Sequence, residues 1–233
     1  MRRGLANSWS PFDSLAGSYD RWYETLLGSF VDHLERQAVF DLLGARPGEL
    51  ILDVGSGTGR YASELARRGV RCIGLEPSQA MLAFAQRGAA PNGPTYVRGI
   101  AERLPLASHV FDAVICVATL EFVADVDAAL AEAARVAKPR GRLVIGVLNR
   151  RGPWAARRRR SADAVWKAAH LFVRAEMEQR LRAFGEVRTR VCVYVPPQLG
   201  HAPWPLLSLV ECLGARVAPS LGAFIAFRVD LRR

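Results

Sequence analysis

The residues best suited to chemistry are Asp53-Val54-Gly55-Ser56-Gly57-Thr58-Gly59. This glycine-rich turn lies directly between a short apolar run, Leu50 to Val54, and a helical pattern from about Thr58 to Arg68. Glycine permits positive φ and lets a ligand approach the backbone closely, and the helix start offers free N–H groups. The dinucleotide fingerprint G-x-G-x-x-G needs glycine at position 60, where this chain has Arg60. An acidic residue just before the turn suits a ligand carrying an ammonium and a sulfonium better than one carrying a pyrophosphate. Glu76 follows the next strand-like run, about 20 residues beyond the loop, where a carboxylate can accept from both ribose hydroxyls. It also suits a helix-start acid facing the dipole of the helix that begins near Ser78.

These residues need a parallel sheet to position them. Leu50 to Val54 reads as a strand buried on both faces. Alternation then follows: helix, strand 71–75, helix 78–87, strands 95–98 and 110–117, helix 125–137, strand 142–148. Such βαβ units predict a doubly wound α/β sheet, with Ser78 as an N-cap and Lys138-Pro139-Arg140-Gly141 as the stop before strand five. Upstream, residues 30–43 have helical spacing. Beyond Asn149 the rhythm changes: a basic stretch, Arg157 to Arg160, precedes a helical region at about 162–184, and two β-rich runs, 187–195 and 223–229, bracket a proline-rich insertion.

The chain has 233 residues, 50% of them hydrophobic, which suits one domain: a flap and helix over 1–45, a ligand-binding core over 46–150, and a cap with the final strands over 151–233. No run approaches the roughly 20 apolar residues of a membrane span, and no signal sequence opens the chain, so the expected location is cytoplasmic. The cysteines Cys72, Cys116, Cys192 and Cys212 lack metal-ligand spacing, and no metal is expected. The net charge of +10 comes almost wholly from arginine, Lys138 and Lys167 being the two lysines. Spread along the chain, that excess reads as codon usage more than as a phosphate track, so nucleic acid is not the expected partner.

The stretch ILDVGSGTGRYASELARRGVRCIGLEPSQAML, with GIAERLPLASHVFDAVICVATLEFVADVDAALAEAARVAKPRGRLVIGVL after it, resembles the class I S-adenosylmethionine-dependent methyltransferases of the type 11 branch. That branch includes quinone-biosynthesis enzymes, and the likeness covers roughly residues 12–150. It implies a Rossmann-like, mostly parallel seven-stranded sheet whose final two strands form an antiparallel pair. By this likeness Asp53, Gly55 and Gly57 would hold the methionine part of S-adenosylmethionine, with Ser56 and Gly59 completing the loop. Glu76 would hold the ribose beside Pro77, Met81 would lie near the adenine, and the Cys116-Val117 backbone would face the methionine part.

The family usually has Gly-Asp-Ala-Glu after strand three, where this chain has Gly99-Ile100-Ala101-Glu102. Ile100 cannot accept from the adenine amino group, which leaves it to pack on the ring and the Ala101 N–H to reach a ring nitrogen. Phe12-Asp13 and Tyr19-Asp20-x-Trp22 resemble the family's entry segment. Tyr19 suits either a ring face against the sulfonium or a hydrophobic staple; Trp22 suits packing.

Methyl transfer needs alignment more than a strong base, so Glu121, on the expected acceptor side, is the one candidate base. Solitary histidines such as His109, His170 and His201 carry no catalytic expectation. The expected acceptor is a small or medium-sized, partly apolar molecule, enclosed by the flap and by Trp154, Trp166, Leu171, Phe172 and the insertion from Val195 to Leu207, residues that would serve equally as core for a cap. The alternatives are a regulator that binds the cofactor without transfer, and a basic nucleic-acid-binding protein.

Overall fold

The computed structural model describes residues 10–232. Three helices open the chain: α1 (Ser10–Asp13), α2 (Arg21–Glu24) and α3 (Leu26–Leu43). The Thr25 hydroxyl accepts from the Gly28 N–H and caps α3, so the helix starts one turn earlier than its apolar spacing predicts. Next come β1 (Leu50–Val54), α4 (Arg60–Arg67), β2 (Arg71–Glu76), α5 (Gln79–Gly88), β3 (Thr95–Arg98), β4 (Phe111–Val117), α6 (Val126–Val136) and β5 (Ala137–Leu148). The last third holds α7 (Ala155–Arg160), α8 (Ala164–Ala168), α9 (Arg174–Leu181), β6 (Gly185–Cys192), α10 (Trp204–Val217) and β7 (Phe224–Leu231).

The strands form one mixed seven-stranded sheet in the order β3-β2-β1-β4-β5-β7-β6. Pairings from β3 through β5 are parallel, whereas β7 runs antiparallel to both β5 and β6. Strand order therefore reverses between β1 and β4, and the crevice that opens at such a switch point is where open α/β sheets bind ligands.

Alternate side chains go to opposite faces. Ile51, Ala113, Ile115 and Val144 pack with α3 and α4 residues, while Leu52, Val114, Leu143 and Ile145 pack with α6 and α9 residues. Arg142, beside the α3 end of the first face, bridges Glu49 at 2.6 Å and donates to the Leu43 carbonyl. No helix among the described residues is long and apolar enough to cross a membrane.

Two local expectations need correction, and one segment left unassigned takes a definite form. Lys138 to Gly141 does not end an element but lies inside β5, where the ladder slips between Phe111 and Ala113 and Arg140 takes a positive φ. Neighbouring strand pairing overrides the breaker signal there. The expected helix over 162–184 is broken, because Phe172 leaves it to bridge Asn149 and donates its N–H to the Leu148 carbonyl. The proline-rich insertion contains a 14-residue helix, α10, whose N-cap is Pro203. Pro205 sits in the first turn of α10, where its missing N–H needs no intrahelical partner.

Candidate active site

β1 delivers Asp53 to the crevice, and the chain then turns back under itself, the Gly55 and Ser56 N–H groups both donating to the Leu75 carbonyl. Gly55 and Gly57 take φ of 72° and 54°. A Cβ on Gly57 would meet no protein atom within 4 Å, so its free side is the cavity itself. At the end of β2, the Glu76 carboxylate accepts from the Gly57 N–H and the Ser78 N–H, both at 2.9 Å. Glu76 is thus aimed by backbone, is only 6% exposed, and keeps lone pairs free on the cavity side.

The N-terminal segment closes the cavity and is pinned at two points. Asp13 accepts from the Ser78 hydroxyl at 2.6 Å, and Asp20 from the Thr58 hydroxyl at 3.0 Å. Phe12 packs edge-on against Phe122 and lines the cavity with Tyr19 and Tyr23. Trp22 packs against Tyr23 and Trp154 outside it.

Twelve candidate cofactor residues line this one cavity: Tyr19, Asp53, Gly55, Ser56, Gly57, Glu76, Pro77, Met81, Ile100, Ala101, Glu102 and Val117. Glu102 also ties the walls together, accepting from the Ala124 N–H at 2.7 Å. Two others are not brought to the cavity. Gly59 caps α4, where a Cβ would strike Tyr96, and Cys116 is buried in β4 beside its cavity-lining neighbour Val117.

Glu121 is also absent from the lining. It is 1% exposed and accepts from the Leu148 N–H at 2.6 Å, an anchor between the turn after β4 and the end of β5. Burial pushes its carboxyl up to about 7. The acceptor-side residues expected after Asn149 are also absent from the lining. Trp154, Leu171 and Phe172 are core, and the Trp154 indole donates to the Val195 carbonyl at 2.9 Å. Within the basic stretch, Arg157, Arg159 and Arg160 are exposed, whereas Arg158 turns inward over Trp154 and Trp166.

In their place the lining includes residues that no motif singles out: Tyr23, Asp32, Glu35, Arg60 and Tyr61. Their one trace in the sequence is the pair Asp32 and Glu35, three residues apart among the buried positions Phe30, Val31, Ala38 and Val39. Five acids, Asp32, Glu35, Asp53, Glu76 and Glu102, face a single arginine, Arg60.

Burial, with the charge of Glu76, pushes Asp53 up to about 7, and burial pushes Glu35 up to about 8. The Asp53 Oδ2 and Ser56 Oγ atoms are buried without a partner. Unpaired acids and open acceptors fit a ligand bearing an ammonium, a sulfonium and a ribose.

A pH prediction follows from these shifts. The folded state holds these protons more tightly than the unfolded chain, so the stabilisation is full below about pH 4 and is lost as pH rises through about 7 to 8. Thermal melts of the ligand-free chain are expected to fall between pH 5 and pH 9, with a smaller fall in Asp53→Asn and Glu35→Gln. A flat profile in all three would contradict this assignment.

Fold and cavity have the layout of the class I methyltransferases, the class whose methyl donor is S-adenosylmethionine. Residues 52–145 match the family model described as "Methyltransferase domain". Over nearly all of its length the chain resembles a solved Thermotoga maritima protein titled SAM-dependent methyltransferase, possible histamine N-methyltransferase. The TM-score is 0.74 at 28% identity, covering 96% of this chain and 99% of that one. Demethylmenaquinone methyltransferases of Beutenbergia cavernae and Thermobifida fusca are 41% and 44% identical over 145 and 138 residues, or 62% and 58% of this chain. The chain spans 58% of the length of each of those two relatives. The match over residues 52–145 is to the type 11 methyltransferase domain, and the rest of the chain is similar to these proteins in fold.

Proposed function

We propose that residues 1–233 act as one cytoplasmic methyltransferase unit, transferring the methyl group of S-adenosylmethionine to a small or medium-sized, partly apolar acceptor. The observation that carries this reading is Glu76, fixed at the cavity by the N–H groups of Gly57 and Ser78 beside a glycine whose free side is open. The bound cofactor supplies an electrophilic methyl group on a sulfonium. In this reading Glu76 accepts from the ribose hydroxyls, and Asp53 with the backbone of Gly55 and Val117 takes the ammonium. Ile100, Pro77 and Met81 pack about the adenine, and the Ala101 N–H meets a ring nitrogen.

The flap residues Phe12 and Tyr19, latched through Asp13 and Asp20, exclude water from the sulfonium and hold the acceptor in line, which is most of what the reaction requires. The quinone acceptors named for the demethylmenaquinone relatives belong to proteins this chain matches over 58% of their length, and an acceptor is set by the pocket rather than by the fold.

Calorimetric titration with S-adenosylhomocysteine tests the reading, with binding expected; silence there alongside binding of a nicotinamide dinucleotide would replace it with an oxidoreductase. Methyl-labelled cofactor added to a metabolite extract identifies the acceptor, and label confined to protein or nucleic acid would refute the small-molecule assignment. Ile100→Asp supplies the acceptor that this chain lacks for the adenine amino group. It is expected to widen discrimination between S-adenosylhomocysteine and its inosine analogue by about tenfold, the worth of one hydrogen bond, as read by competition binding. No change would place the adenine elsewhere.

A further inference from the structure

One group of lining residues, close to one another, has no part in the cofactor assignment. α3 supplies Asp32 and Glu35, and Tyr23, Arg60 and Tyr61 complete the group. Asp32 is already neutralised: Arg60 bridges it at 2.7 Å while lying 3.9 Å from the centre of the Tyr23 ring. Glu35 has no hydrogen-bond or salt-bridge partner among the described residues. Arg158 is near enough to favour its charge but stacks over Trp154 and Trp166 instead, with its Nε and Nη1 unpartnered. A carboxyl left alone among tyrosines, in a cavity already rich in acid, keeps its proton in the free chain, and what would favour its ionised form is a cation seated beside it. Ring faces add to the attraction for one, while an anionic ligand would be repelled.

We propose that Glu35 forms the acceptor subsite and that the acceptor is a small primary or secondary amine, its ammonium seated on this carboxylate among the tyrosines. The inference rests on the methyltransferase reading above and deepens it. The step balances: the ammonium gives one proton to the Glu35 carboxylate, and the freed nitrogen lone pair forms the new N–C bond. The C–S bond breaks with its electron pair going to sulfur, so the sulfonium becomes a neutral thioether and the product a methylated ammonium.

An ordinary carboxyl lies about six pKa units below an alkylammonium, too acidic to take its proton readily. Burial brings Glu35 up to about 8 and closes most of that gap. Asp32 and Glu121 push in the same direction, Arg158 and Arg60 oppose, and burial keeps the Tyr19, Tyr23 and Tyr61 hydroxyls neutral around it.

The test is calorimetry on the full chain, first with S-adenosylhomocysteine alone and then, on the saturated protein, with phenethylamine, 2-phenylethanol and phenylacetate. The amine is expected to bind at least about tenfold more tightly than the alcohol or the acid. Glu35→Gln is expected to lose that preference while S-adenosylhomocysteine affinity stays within twofold, and Glu35→Asp to regain part of it. The proposal is overturned if the acid binds best, if Glu35→Gln leaves amine binding unchanged, or if that variant loses S-adenosylhomocysteine instead, which would assign Glu35 to the cofactor. Should the wild-type chain fail to bind S-adenosylhomocysteine at all, the methyltransferase reading fails first and this inference falls with it. If Glu35→Gln does not fold, the wild-type ranking of the three probes and the Glu35→Asp variant decide alone.

Discussion

Glu76→Ala is expected to weaken S-adenosylhomocysteine binding by about 100- to 1,000-fold, the largest effect of any single side chain in the cavity. A hydrogen bond to a charged acceptor is worth about 1.5–3 kcal/mol, and two ribose hydroxyls would share this carboxylate. The substitution also strips the Gly57 and Ser78 N–H groups of their acceptor, so the glycine loop loses its aim along with its ligand contact. Glu76→Gln keeps one carbonyl oxygen and should fall between the two. Calorimetry reads all three proteins, and the melting temperature separates lost binding from lost folding. An alanine variant that folds and still binds within threefold of wild type would remove Glu76 from the site.

The second large effect divides two glycines of one loop. At Gly57 a side chain would enter empty cavity, so Gly57→Val is expected to abolish detectable binding of S-adenosylhomocysteine by occupying the ligand's place. The protein itself should lose only about 1–2 kcal/mol, for a left-handed φ at a non-glycine residue. At Gly55 a Cβ would fall inside the Thr119 side chain, whose hydroxyl lies within hydrogen-bond reach of the Val54 and Val117 carbonyls. Gly55→Ala should therefore pry the turn after β1 from the turn after β4 and lower the melting temperature more than Gly57→Val does. The contrast, binding lost with fold kept against fold weakened, is read by pairing thermal melts with titration. Equal destabilisation by both would show that the loop's two sides are not distinct.

Several features are legible in the amino-acid order because they rest on local chemistry. The run Leu50 to Val54, the glycine turn, the Ser78 cap and the acid at position 76 depend on neighbours within a few residues, and they stand where the pattern predicts. Strand β3 matches its predicted bounds, and Asp125 caps α6 at the predicted start. Twelve of the fourteen candidate cofactor residues converge on one cavity because βα alternation sends the end of every parallel strand to the same sheet edge.

Other features depend on contacts distant in sequence. Glu121 reads as acceptor-facing from its position after β4, yet the Leu148 N–H, 27 residues on, captures its carboxylate and turns it into an anchor. Trp154, Leu171 and Phe172 have the apolar character of a pocket lining, but Trp154 and Leu171 join the core on one face of the sheet and Phe172 the core on the other. Asp32 and Glu35 look like ordinary helix acids until α3 lies against the sheet and the N-terminal segment folds over them. The amino-acid order by itself determined the class of fold and the glycine loop that opens onto the cavity, because backbone conformation and period are local properties. Tertiary structure alone decided which acids were left without partners, because burial and pairing are properties of the assembled surfaces.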